Sequence, residues 1–143
     1  MRRIKIKFLL ATLAVFLISG CATTAEERIL DLNENQLKLR SIQTRAFDTS
    51  DKEKMMRSVM ATLQDLDFVV NKADYDLGIV TGSKFVQNQV LKMTVIVREK
   101  DKNQLLIRAN AQYGIKAINS PEPYQDFFDA LSKSIFLTAQ QID

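Results

Sequence analysis

The chain contains no histidine and no tryptophan, and only one cysteine, two prolines and four glycines among its 143 residues. Without histidine, the commonest general base and the commonest metal ligand are both missing. Histidine-dependent catalytic triads and zinc sites of the usual type are therefore excluded. A single cysteine excludes an internal disulfide. Long apolar runs are scarce as well. The run from Phe8 to Ile18, broken only by Thr12, is too short for a spanning helix, which needs ~20 apolar residues.

That short run is nevertheless informative. Arg2, Arg3, Lys5 and Lys7 precede it, and Ser19, Gly20 and Cys21 follow it. A basic start, a short apolar segment and small residues make the pattern of a secretory signal peptide. The sole cysteine stands directly after the small residues. Ile18-Ser19-Gly20-Cys21 resembles the lipobox of bacterial lipoproteins. The resemblance implies cleavage after Gly20 and lipid attachment at Cys21. It also implies an outer-membrane address, because Ala22 is not the aspartate that retains lipoproteins in the inner membrane. Several acyl chains hold a protein far more firmly than one.

The expected organisation is a signal peptide over 1–20, a lipidated cysteine and tether over 21–38, and a single domain over 39–143. Four of the twenty basic residues fall in the signal and none of the seventeen acidic ones does. Sixteen cations then face seventeen anions in the mature chain, a net charge of −1. Net charge therefore gives no case for nucleic-acid binding.

Hydropathy patterning reads β-α-β-β-β-β-α. A first strand is expected from Arg40 to Phe47, with Ile42, Thr44 and Ala46 on one face and Ser41, Gln43 and Arg45 on the other. Ser50-Asp51-Lys52-Glu53 matches a capping box. The helix after it carries Met55, Met56, Val59, Met60, Leu63 and Leu66 on one stripe, which reads as core filler. Phe68-Val69-Val70 reads as a short buried strand, and 71–76 as a polar turn. Leu77 to Phe85 is a strand holding Gly78 and Gly82, a sign of a bulge, a bend or close backbone approach. In the next two strands Leu91, Met93, Val95 and Val97 alternate with polar residues, then Leu105, Ile107, Ala109 and Ala111. Ser120-Pro121 predicts a helix start with proline at the first position. Tyr124, Phe127, Phe128, Leu131 and Ile135 follow on one face, widened by Phe136 and Leu137.

Hairpin-linked strands make an antiparallel sheet, and two amphipathic helices need its apolar face. The expected fold is an α+β two-layer sandwich of about five strands with both helices on one side. The opposite face then carries Gln43, Arg45, Lys92, Thr94, Arg98 and Arg108, a candidate partner-binding surface. Ile96, with Val80 beside it, would add an apolar spot there.

Catalytic and metal signals are weak. Asp74-Tyr75-Asp76 offers two carboxylates but lacks the remaining ligands of a calcium loop, and reads as a solvated turn. Ser83 and Lys84 are neighbours on a strand and point to opposite faces. No cofactor, no metal and no enzymatic activity are expected.

The stretches Gln43-Thr44-Arg45-Ala46-Phe47, Leu63 to Phe68, Leu77 to Lys84 and Tyr124 to Leu137 resemble a group of small bacterial lipoproteins without an assigned activity. In that group the position of Asp67 is usually a glycine. The topology is similar to the helix-grip domains of the outer-membrane assembly lipoprotein BamC. The expectation is a lipid-anchored accessory or assembly factor in the bacterial outer membrane, facing the periplasm and binding an envelope protein complex. The alternative is a small-ligand or lipid-binding module, with a cavity lined by Phe127, Phe128, Leu131, Met93 and Val95.

Overall fold

The computed structural model describes residues 25–140, with side chains over 34–137. The expected signal peptide, Gly20 and Cys21 lie outside the described residues. The chain divides into two units, Met1–Asn35 and Gln36–Asp143, and the sheet with its two packed helices belongs to the second.

Helix α1 spans Ala25–Gln43. This corrects two expectations: much of the tether stretch is helical, and Arg40 to Gln43 end a helix rather than open a strand. Alanine, leucine, glutamate, glutamine and lysine dominate the segment, and all are good helix formers. Arg40 lies in the last turn, where a cation suits the helix dipole. The apolar residues form no long stripe, and Leu37 is exposed, so hydrophobic periodicity signalled no more than a short amphipathic turn here.

Strand β1 (Thr44–Phe47) leads to helix α2 (Lys52–Asp65). The cap is Asp51 and not Ser50: its carboxylate accepts the Lys54 N–H at 2.8 Å. Glu53 pairs with Arg57 one turn later instead of reaching back to the cap. Met55, Met56, Val59 and Leu63 form the buried face. The helix closes with a Schellman motif. Phe68 N–H donates to Leu63 O at 2.9 Å and Asp67 N–H donates to Gln64 O at 3.0 Å. Asp67 itself has φ +64°, a left-handed conformation that glycine adopts most easily.

Strands β2 (Val69–Asp74), β3 (Ile79–Val86), β4 (Gln89–Glu99), β5 (Leu105–Tyr113) and β6 (Lys116–Ala117) complete the sheet, and helix α3 (Glu122–Gln140) follows. The order is β1-β5-β4-β3-β2, every pairing is antiparallel, and β6 shares the β5 edge. The second strand is longer than expected and is an edge strand, with Val69 exposed. Its register shifts between Val70 and Lys72, a bulge that disrupts the edge. Gly78 answers the expected close approach. It has φ +67°, and a Cβ there would lie 2.3 Å from Val97 O. The Val97 N–H donates to Gly78 O at 2.8 Å, which draws the two backbones together.

The sandwich has two layers, with α2 and α3 against one face of the sheet. Val80, Met93, Val95, Ile107, Phe127, Phe128 and Leu131 are fully or almost fully buried between them. Phe127 and Phe128 meet edge to face at 5.2 Å. Burying each large apolar side chain is worth roughly 1.5–3 kcal/mol. Helix α3 starts one residue later than proposed. Pro121 O accepts the Gln125 N–H at 3.0 Å, so Pro121 caps the helix instead of opening it. Phe136 and Leu137 do not widen the buried stripe; both are exposed.

Candidate functional site

The outer face of the sheet is fixed by register. Ser83, Lys92 and Gln112 lie opposite one another across three strands, as do Thr81, Thr94 and Asn110. Ile79, Ile96, Arg108 and Thr44 form the next row, and Arg98 pairs with Leu106. Successive residues alternate between faces, so these side chains all point away from the helices. The Thr81 and Thr94 hydroxyls approach to 3.5 Å. The apolar neighbour of Ile96 is therefore Ile79. Val80 is fully buried on the other side.

Of the six residues proposed for this face, Lys92, Thr94, Arg98 and Arg108 lie on it, and Gln43 and Arg45 do not. Arg45 is opposite Ile107, which is buried toward the helices. Its guanidinium donates to Asp129 at 3.0 Å and covers the Phe128 ring at 4.9 Å. A long aliphatic stem lets arginine lie over an apolar ring and still reach a surface carboxylate. That is how an inward-facing edge position accommodates a charge. Gln43 is 6% exposed and donates its amide to Tyr124 Oη at 3.1 Å. Polarity alone suggested a solvent face; a buried polar partner reverses it.

Thr44, Ile96, Arg98, Leu106, Arg108 and Asn110 line a depression of about 210 Å³ on the outer face. Ile96 and Leu106 supply apolar surface between two guanidiniums. Among the described residues, neither Arg98 nor Arg108 has a salt-bridge partner. Each planar guanidinium presents a fork of donors suited to a carboxylate or phosphate. Leu106 went unnoticed in the sequence because it sits where alternation predicts a polar residue.

The other candidates resolve differently. The Asp74 carboxylate accepts the Leu77 N–H at 2.9 Å and so shapes the β2–β3 turn. Lys84 points inward, donating to Leu66 O at 2.9 Å above the Phe68 ring at 4.7 Å, while Ser83 faces out. No cluster of three or more acidic, cysteine or histidine side chains is placed to hold a metal among the described residues. Four of the five residues proposed to line a ligand cavity are packed in the core with no exposure. The fifth, Met93, borders an opening of about 190 Å³ between strands β3–β5 and the start of α3, lined also by Lys84, Tyr113, Glu122 and Asp126. Small-molecule sites usually run to ~300–1,000 Å³.

No family model matches the chain, and no curated protein matches it. Among solved structures it is similar to the adenylate sensor from AMP-activated protein kinase in complex with 5-aminoimidazole-4-carboxamide ribofuranotide. The identity is 14% and the TM-score 0.48, over 64% of this chain and 94% of that one. A likeness of that size carries no inference about binding. No helix among the described residues is long and apolar enough to cross a membrane.

Proposed function

We propose that this protein is a lipid-anchored accessory factor of the bacterial outer membrane that binds an envelope protein through the outer face of its sheet. The observation that carries the reading is the depression between Arg98 and Arg108. Two cations without counter-ions flank an apolar floor, a pattern typical of a contact surface. An acidic residue beside an apolar one on the partner would satisfy both. The lipobox-like stretch ending at Cys21 supports the anchor. Anchoring confines the domain to a surface and raises its effective concentration near partners. The ligand-binding alternative has less behind it, because the proposed lining is packed core.

In-cell crosslinking tests the reading. A photo-reactive residue at Thr94 or Asn110 of the tagged full-length protein should capture one dominant envelope protein, and the same group at Arg57 on α2 should not. Replacing Cys21 by alanine should abolish capture. Equal capture from both faces would overturn the proposal.

A further inference from the structure

Three exposed apolar residues, two of them the most exposed of the domain, gather at one end of the sheet. Phe85 is 84% exposed, Val90 41%, and Ile115 fully exposed. Phe85 and Val90 face each other across the β3–β4 hairpin. The Val90 carbonyl accepts the Gly114 N–H at 3.2 Å, which ties this hairpin to the β5–β6 turn carrying Ile115. The hairpin closes through Gln87 (φ +48°) and Asn88 (φ +63°), a tight turn with both central residues left-handed. Such a tip is held in place before anything binds it.

Its charges are one-sided. No aspartate or glutamate occurs from Leu77 through Arg98, or from Lys102 through Pro121. Lys92 stands one row in from Phe85, and Lys116 follows Ile115. Glu99 and Asp101 lie at the opposite end, around the β4–β5 turn. Asp67, Glu122 and Asp126 are at this end but belong to the helix layer, and the last two share their opening with Lys84. None of the depressions described above is lined by Phe85 or Ile115. The apolar tip projects instead of receiving.

We propose that this tip seats in the interfacial region of an anionic lipid bilayer. Phe85, Val90 and Ile115 would enter the headgroup–acyl boundary, and Lys92 and Lys116 would meet the headgroups. A projecting apolar tip beside Lys92 and Lys116, on strands that carry no carboxylate at this end, matches a lipid surface better than a protein groove.

The test uses the full-length protein carrying Gln87→Cys, labelled with an environment-sensitive fluorophore. The vesicles contain phosphatidylcholine with or without phosphatidylglycerol, and brominated acyl chains act as the quencher. The label should be quenched several-fold more on anionic vesicles. Phe85→Ser combined with Ile115→Ser should remove most of that quenching, and high salt should weaken it. A label at Asp101→Cys should stay unquenched. Equal quenching at positions 87 and 101, or quenching indifferent to the serine pair, would overturn the proposal. Mass spectrometry of the labelled chain reads the anchor separately: one label if Cys21 is acylated, two if it is free. The difference between the two tips is unaffected by a second label.

Discussion

The Gln43 side-chain amide donates to the phenolic oxygen of Tyr124 at 3.1 Å, across 81 residues of chain. The same oxygen accepts the Ala111 N–H at 3.2 Å and donates to Ile118 O at 2.7 Å. A hydroxyl offers one donor and two acceptor sites, and all three are used in a fully buried position. The end of α1, strand β5, the segment after β6 and helix α3 thus meet at one atom.

Tyr124→Phe should cost about 2–4 kcal/mol, because it leaves two buried backbone groups and an amide without their partner. Gln43→Ala should cost less, about 1 kcal/mol, since it vacates only one of the three bonds. Urea denaturation of the two variants checks the order. Equal losses would show that the Gln43 bond dominates.

Asp67→Gly should stabilise the domain by about 0.5–1 kcal/mol, by relieving a left-handed residue at the end of α2. Gly78→Ala should act oppositely, at about 2–3 kcal/mol, because a Cβ collides with Val97 O in a conformation alanine avoids. Thermal unfolding of the pair tests whether φ or side-chain chemistry governs these two sites.

Thr62 is fully buried, and its hydroxyl has no hydrogen-bond partner. Thr62→Val replaces that hydroxyl with a methyl of similar size. Stability should rise by about 1 kcal/mol, read as a higher denaturation midpoint with an unchanged slope.

Arg45→Glu should leave capture of the partner intact and destabilise the domain by about 1–2 kcal/mol, since it uncovers Phe128 and sets a second carboxylate beside Asp129. Arg98→Glu with Arg108→Glu should abolish capture without a change in melting temperature. Loss of capture in Arg45→Glu would place the contact on the helix side.

The sheet was legible where each strand has one dry and one wet face. Leu91, Met93, Val95 and Val97 alternate because β4 is central and backed by helices on one side only. The edges were not legible. In β1 the inward residue is a charged arginine whose stem covers Phe128, so polarity indicated the wrong face. In β2, Val69 is exposed and Asn71, Lys72 and Asp74 are polar, so Phe68 to Val70 read as a buried strand and the residues after them as a turn. Helix α1 has no long stripe to read. Of the proposed contact face, the four residues on central strands stand where alternation put them. Gln43 fails because its burial depends on a tyrosine distant in sequence.

Gln43 is also the last residue of α1, directly before β1. If the segment before it is held at a surface, tension along the chain arrives at this residue first. Strand β1 lies antiparallel to β5 over Thr44 to Phe47, so a pull along its axis loads those hydrogen bonds together instead of peeling them singly. Behind them the Tyr124 hydroxyl grips the incoming chain. The domain is built with its clamp at the point where a mechanical load would be delivered.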